Sequence, residues 1–497
     1  MSERTLKEIM SQRLAKRESL LNEGVNPYPY KFDRSHLITA ALEDFDQLAE
    51  KTEISFAGRL MSRRVMGKAS FANIMDGSGR IQLFISREEI GVEAYTLFKG
   101  LDLGDFIGVS GKLMTTRTGE KTLKVASLTL LSKNIRPLPN VKEKDGQTFD
   151  GFEDKEQRYR KRYLDLIVNP EVKETFVKRA AIYRSIRKFF DGSDYLEVET
   201  PILQPLYGGA SARPFMTHHN ALNMPLYLRI ADELYLKRLI IGGFEKVYEF
   251  SRNFRNEGMD RTHNPEFTAI EWYEAYVDYH YLMDQVESLF KHLCADLGQS
   301  TFSFKGHEID LTQEFQRAPM AELVAEHVGI DLATANEKEL LTVCRKHKVD
   351  VDTNANYGQL LDELFDALVQ PHLIEPTFVT EYPKAISPLA KHLRDSDGTF
   401  VERFELFIAG SEFANAFSEL NDPVDQRARL EAQAALREAG DDEAQVVDED
   451  FLQAMEYGMP PTGGVGMGLD RLIMLLTDNP SIRDVLLFPQ MRPESKG

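Results

Sequence analysis

The sequence predicts an α+β protein of two folded units, a small β-barrel followed by a larger antiparallel sheet flanked by helices. Three observations carry this expectation. At 497 residues the chain exceeds what one ordinary hydrophobic core accommodates. Residues 54–133 alternate short apolar strands with turn residues, whereas the remainder mixes strand alternation with long helical periodicity. Between the two patterns, residues 134–163 are polar, with Arg136-Pro137-Leu138-Pro139 and Asp145-Gly146, and read as an irregular linker.

Composition narrows the class. The chain is 42% hydrophobic and 28% charged, as a globular protein is. No apolar run reaches the length of about eighteen residues that a membrane helix needs, and Met1 is not followed by a secretory pattern, so a cytoplasmic protein without a membrane span is expected. Cys294 and Cys344 are the only cysteines, which reads as buried thiols in a reducing compartment, with no thiolate cluster for zinc. The net charge of −19 argues against non-specific nucleic-acid binding. Charge is nonetheless segregated. Residues 1–20 hold five bases against three acids, Lys155–Tyr163 five against one, and residues 421–450 ten acids against three bases. A local basic path on an acidic body therefore stays open.

In chain order, Ser2–Asn22 has helical spacing (Leu6, Ile9, Met10, Leu14) with bases between, as a solvated amphipathic helix or an RNA-facing one would. Five strands follow: Ile54–Met61, Ala69–Met75, Arg80–Ile85, Gly104–Leu113 and Thr122–Leu131, with a helix at Glu88–Lys99 after the third. That order suits an OB-fold barrel, which binds single strands through aromatic stacking and nearby cations. Phe71, Phe84, Arg63, Arg64 and Lys68 are the candidates, although an apolar strand residue is more often core.

The second unit begins with an amphipathic helix, Phe176–Phe190 (Val177, Ile182, Ile186, Phe189), and a strand Tyr195–Thr200 ending at Pro201. Gly209 in Gly208–Phe215 is a turn residue that also lets backbone approach a small ligand. Glu233 opens a helix, where a carboxylate suits the dipole. Residues 247–273 then read as a hairpin. Tyr248, Phe250 and Phe254 lie in one strand, Gly258 and Asn264-Pro265 punctuate the loop, and in the second strand Phe267, Ala269, Glu271 and Tyr273 share a face opposite Ile270 and Trp272. Such a hairpin brings Arg255, Glu257, Phe267, Glu271 and Tyr273 to one patch: a guanidinium that bridges phosphate and carboxylate, acids, and a ring for a base.

Residues 300–395 hold helical segments and no evident chemistry. In Phe400–Leu420, Glu405 and Glu412 are seven apart, so Gly410 must mark a break if both reach one site. Glu412, Asn415 and Glu419 equally fit a helix face, and periodicity leaves strand and helix open. Gly463–Gly468 reads as a glycine-rich turn entering an apolar helix at Arg471. It is neither a dinucleotide fingerprint nor a P-loop.

The series Phe254-Arg255-Asn256-Glu257 … Arg261-Thr262-His263-Asn264-Pro265-Glu266-Phe267-Thr268 resembles motif 2 of the class II aminoacyl-tRNA synthetases. In detail it resembles the lysyl branch of their aspartyl/asparaginyl/lysyl subgroup. The helix and strand ending at Pro201 resemble motif 1, which builds a homodimer interface in that family. Gly463–Leu476 with Arg471 resembles motif 3, and the resemblance runs in family order from Ser55 to Pro493. One departure is Ala416, where the family usually has glycine.

The resemblance implies an N-terminal helix and lead-in at 1–53, an OB-fold anticodon-binding domain at 54–138, a linker at 139–165, and a class II catalytic domain at 166–497 with a helical elaboration at about 300–395. It implies that Arg63, Phe71 and Gln82 contact the anticodon. ATP would be held by Arg255, Glu257, His263, Asn264, Phe267 and Arg471. Lysine would be held by Gly209, Glu233, Arg255, Glu271, Tyr273, Asn415 and Glu419. Glu405 and Glu412 would bind magnesium (Mg2+) bridging the ATP phosphates, and Arg255 would be the catalytic residue. The amino acid also follows from charge: an aspartate pocket should present a cation, whereas Glu271, Glu419 and Tyr273 suit an ammonium. The expected reaction is ATP-dependent attachment of L-lysine to tRNA(Lys) through a lysyl-adenylate. The alternatives are an aspartyl- or asparaginyl-tRNA synthetase, a lysine ligase acting on a protein, and a non-catalytic relative.

Overall fold

The computed structural model describes every residue except 1–2, 50–52, 140, 145–146, 151, 353–354, 439–443 and 495–497. Ser2, the Asp145-Gly146 pair and part of the acidic stretch at 421–450 therefore lie outside the described residues. The chain forms two compact units, residues 1–153 and 154–497.

In the first unit, strands β1 (Ile54–Met66), β2 (Ala69–Met75), β3 (Arg80–Ser86), β4 (Phe106–Thr115) and β5 (Lys121–Ser132) close a barrel in the order β1-β2-β3-β5-β4. Period-two alternation builds it: Ile54, Phe56, Leu60, Ile74, Ile81, Leu83 and Leu123 point inward and are fully or almost fully buried. This is the OB-fold expected from the strand pattern. The single helix expected at 88–99 is two, Arg87–Ile90 and Val92–Gly100, divided at Gly91, whose φ of +86° favours glycine. The N-terminal helix Glu3–Asn22 forms, and two of its bases face the barrel: Arg13 and Lys16 both reach Asp102.

The stretch read as an irregular linker is more ordered than expected. It carries a hairpin, Val141–Lys144 with Gln147–Asp150, and then helices Lys155–Arg160 and Arg162–Val168. Its basic run is largely consumed within the protein. Arg158 and Arg162 both pair with Asp165 at 2.7 Å, Arg160 pairs with Glu156 at 2.6 Å, and Arg162 is buried. A basic path there is not what these side chains supply.

The second unit is built on an eight-stranded sheet. Its strands are β6 (Leu196–Glu197), β7 (Lys246–Phe254), β8 (Glu266–Ala275), β9 (Gln316–Pro319), β10 (Thr377–Pro383), β11 (Phe400–Phe407), β12 (Glu412–Ser418) and β13 (Thr462–Gly468). Their order is β9-β10-β11-β12-β13-β8-β7-β6, antiparallel except for the parallel pairs at the two edges. One face carries Tyr248, Ile270, Trp272, Phe404, Ala414, Ala416, Val465 and Met467 and packs the main core. The helices α1 (Pro170–Asp191), Tyr279–Leu297 and α2 (Leu469–Leu476) bury their apolar faces in the same core. Ala416, the family departure, belongs to this apolar face and not to the polar one.

Two expectations are corrected here. Gly463–Gly468 is not a turn but the central strand β13, hydrogen-bonded on both sides. Sequence propensity disfavours glycine in a strand interior, and the reason it stands there is taken up with the site. The strand predicted from Tyr195 to Pro201 shrinks to two paired residues, and Val177, expected on the buried face of its helix, is exposed. The open question at 412–419 is answered as strand, with Ala409-Gly410 at positive φ turning β11 into β12.

Candidate active site

The second face of the sheet is polar, and strand register decides what meets on it. β7 and β8 pair with Glu249 opposite Glu271 and Asn253 opposite Phe267. Across β13, Gly466 lies between Glu271 and Asn415, and Gly464 between Tyr273 and Phe417. The alternate glycines leave an open floor between facing side chains. A Cβ at Gly464 would collide with Glu419 Oε1 and the Tyr273 ring, which is why glycine occupies a strand interior here. Above this floor lies a cavity of about 450 Å³.

Of the residues singled out from sequence, Arg255, Glu257, His263, Asn264, Phe267 and Arg471 line one part of the cavity. Gly209, Glu233, Glu271, Tyr273, Asn415 and Glu412 line the rest. The Arg255 guanidinium lies over the Phe267 ring, 5.1 Å from its centroid, and its Nε has no hydrogen-bond partner among the described residues. A half-buried cation without a carboxylate is an anion site awaiting a ligand. His263 is held by Asp260 at 2.8 Å, and those hydrogen bonds keep the Asp260 carboxyl far below its ordinary range despite partial burial. Asn264 is turned to the chain itself, donating to the Glu266 carbonyl and accepting from the Gln490 amide, so it shapes the loop. Arg471, at the start of α2, is 3.6 Å from the Glu412 carboxylate.

The other end is acidic and closed. Helix α3 (Glu233–Ile241) begins with Glu233, and one turn later Lys237, fully buried, lies 2.5 Å from Glu233 and 2.5 Å from Glu419. Burial raises the Glu233 and Glu419 carboxyls against the lowering effect of Lys237. Lys237 is itself raised: burial lowers it, and the two carboxylates outweigh that. Glu271 is raised well above the ordinary range by burial and then by the Asp232 carboxyl beside it, and accepts a 3.3 Å hydrogen bond from Tyr273. Glu419, expected in the lysine site, is not among the residues that line this cavity: it is buried behind Gly464 with Oε1 turned over that glycine, and it lines a neighbouring pocket with Asp278, Arg394 and Asn421.

Glu405 is set back from the cavity. Tyr382 donates to it at 2.8 Å and Arg403 at 2.5 Å, and Arg403 also reaches Asn415 at 3.1 Å. Glu412 is the more open member of the pair, and Asp362 and Asp366 on helix α4 (Tyr357–Leu368) face the same acidic corner. Among the described residues no three His, Cys, Asp or Glu side chains are arranged to hold a metal by themselves.

A family model described as tRNA synthetases class II (D, K and N) matches residues 154–492, and one described as an OB-fold nucleic acid binding domain matches residues 54–131. The chain is 52% identical over 500 residues to the Lysine--tRNA ligase of Porphyromonas gingivalis, covering 98% of this chain and 86% of that protein. It is 51% identical to the Lysine--tRNA ligase of Christiangramia forsetii over 505 residues, covering 99% and 88%, and 51% identical to that of Moorella thermoacetica over 493 residues, covering 98% and 99%. The chain belongs to the class II tRNA synthetases.

In this class II synthetase the sequence reading missed three side chains that shape the cavity: Lys237, Asp232 and Arg403. A signal existed for Lys237, since Glu233 and Lys237 stand at i, i+4 on one helix face. For Asp232 and Arg403 only tertiary packing supplies their partners.

The synthetase's barrel places its candidates on the outer surface. Phe71 and Phe84 are half-buried neighbours with ring centroids 5.3 Å apart, and neither belongs to the barrel core. Register sets Arg64, Phe71, Phe84 and Lys124 in one row and Ser62, Asn73, Gln82 and Thr122 in the next. A row of rings flanked by bases is a stacking platform for a single strand. Arg63 is spent differently: its Nη1 donates to the carbonyls of Phe98, Lys99 and Leu101, closing the end of the helix Val92–Gly100. Gln82 accepts from Thr122 at 2.9 Å.

Proposed function

We propose that the protein attaches L-lysine to tRNA(Lys) in the cytoplasm through a lysyl-adenylate. The observation that carries the amino-acid choice is the state of the cations around the cavity. Lys237 is enclosed by Glu233 and Glu419, and Arg403 by Glu405 and Asn415, so neither is free for an acidic side chain. The closed end offers carboxylates, which suits an ammonium and disfavours aspartate. Relatives that carry the name Lysine--tRNA ligase along nearly the whole chain support the same reading.

The substrate carboxylate would lie beside Arg255, a cavity cation whose buried Nε has no hydrogen-bond partner among the described residues, and which also meets the α-phosphate. With the ammonium groups anchored at Glu233 and at Glu271, Tyr273 and Glu419, the carboxylate is held in line for attack on that phosphorus. Phe267 stacks on adenine, Glu257 reads its edge, and His263 and Arg471 take the terminal phosphates as pyrophosphate leaves. The terminal adenosine hydroxyl of tRNA then attacks the mixed anhydride, forming the ester and releasing AMP. Neither step needs a covalent nucleophile from the chain; positioning and charge neutralisation do the work.

Glu405 and Glu412 would hold magnesium, which supplies charge neutralisation between the phosphates when bound. Glu412 lines the cavity and fits that role, whereas Glu405 would have to release Tyr382 or Arg403 to share the ion; magnesium takes few protein carboxylates and completes its shell with phosphate and water oxygens. The barrel's row of rings would read the anticodon, which disfavours a ligase acting on a protein. A homodimer through α1 and the segment after it is part of this reading. Val177, Leu196, Leu203, Met216 and Leu222 are apolar and 46–67% exposed, which supports a docking role for these segments.

The test is ATP–pyrophosphate exchange with each of the twenty amino acids, followed by charging of total tRNA. Lysine alone should drive exchange and only tRNA(Lys) should be esterified. Exchange driven by aspartate or asparagine would overturn the assignment.

A further inference from the structure

Glu233 and Glu419 each divide their two oxygens. Glu233 Oε1 lies 2.5 Å from Lys237 Nζ, and its Oε2 faces Gly209, 3.8 Å from where a Cβ there would stand. Glu419 Oε2 forms an ion pair with the same Nζ at 2.5 Å, and its Oε1 is turned over Gly464 beside the Tyr273 ring; among the described residues neither oxygen has an aligned hydrogen-bond donor. Gly209, Gly464 and Tyr273 line the cavity. Each carboxylate therefore gives one oxygen to an internal ammonium and turns the other toward a glycine of the cavity lining, Gly209 for Glu233 and Gly464 for Glu419.

We propose that Lys237 is a positioning residue for amino-acid selection: by bridging Glu233 and Glu419 it fixes the separation of the two carboxylates that read the substrate's two ammonium groups, and so sets the chain length of the diamino acid accepted. This deepens the lysine reading and rests on it.

The physical case has three parts. Lys237 cannot touch the substrate, since it is fully buried and its partners stand between it and the cavity. Its own position is held on both sides, because helix α3 places it one turn from Glu233, it is fully buried and it pairs with both carboxylates. Its removal would also leave an acidic cluster uncompensated. Asp232 and Glu233 from the helix start, Glu271 with Tyr273 from β8, and Glu419 after β12 all face this point. The nearby Arg229 is engaged by Glu249 at 2.6 Å and Arg403 by Glu405. Without the shared ammonium, Glu233 and Glu419 repel and separate or take up protons, and the spacing between the two ammonium sites is lost.

The experiment measures ATP–pyrophosphate exchange with lysine and with ornithine, one methylene shorter, for the full-length protein and for Lys237→Met. One methylene is worth ~10–200-fold in selection when a pocket has a defined length. Expected for Lys237→Met is a lysine KM raised about tenfold, an ATP KM within about twofold of the parent, and a lysine-to-ornithine ratio of kcat/KM reduced at least about fivefold. A ratio equal to the parent's, with kcat lowered equally for both amino acids, overturns the proposal. If circular dichroism and thermal melting show Lys237→Met unfolded, Lys237→Arg keeps the charge on a longer planar fork. That variant must fold and change the ratio at least about threefold, and an unchanged ratio overturns the proposal there too. A parent protein with no lysine-dependent exchange removes the lysine reading itself, whereas lysine exchange with unaltered ratios removes only the role of Lys237.

Discussion

At the scale of single residues, Arg255 is the side chain whose chemistry is least compensated within the protein. Arg255→Ala should lower lysine-dependent pyrophosphate exchange by at least about 100-fold, as loss of a preorganised charge at a transition state does. The melting temperature should stay unchanged, because no protein partner at its Nε is lost. Glu271 gives a second expectation. Burial and the neighbouring Asp232 raise its pKa, which favours the protonated form, whereas a bound ammonium favours the carboxylate. The lysine KM should therefore fall as pH rises, and Glu271→Gln should flatten that slope. Steady-state exchange kinetics across pH check it.

Elements set which residues can act together. The β7–β8 hairpin was legible because its alternation puts Phe267, Glu271 and Tyr273 on one face, and strand geometry makes that inevitable once the register is formed. The glycine strand was misread as a turn, because glycine's conformational freedom is local information and its use here is not. Only neighbours across β13, the Tyr273 ring and Glu419, show that the absent Cβ is what matters. In the barrel, Phe71 stands outside the core. Phe71→Ala should raise the KM for tRNA about tenfold while leaving pyrophosphate exchange intact, since a stacked base is worth ~1–3 kcal/mol. On α4, Asp362 and Asp366 are exposed, yet desolvation by the protein packed around them, followed by neighbouring charges in which Glu405 and Glu363 raise both, pushes each up to about 6. Each is protonated more readily folded than unfolded, so their contribution is present below about pH 4 and is lost as pH climbs through about 6. Asp362→Asn with Asp366→Asn should accordingly gain melting temperature over the parent at pH 7 and not at pH 4, as differential scanning calorimetry would record.

For the whole molecule, two units with separate cores divide the work: one carries a stacking surface, the other the cavity. The proposed dimer belongs to this scale. Val177→Asp combined with Met216→Asp should convert a dimer into a monomer at micromolar concentration in light scattering, because both side chains are about two-thirds exposed and would face a second copy. Unchanged mass would remove that face as the interface.

From sequence alone came the barrel's five strands, the hairpin, the break at Gly410 and most of the charged side chains that line the cavity. All of these follow from periodicity, turn chemistry or an ordered set of motifs. Tertiary structure alone decided that Arg63 is spent closing a helix, that Arg255 lies over Phe267 beside the cavity, and that Glu419 joins Glu233 on Lys237. The reason is physical. A charged side chain's role depends on which opposite charge lies within a few ångströms and on how much water is left around it, and both are set by strands and helices that come from distant parts of the chain.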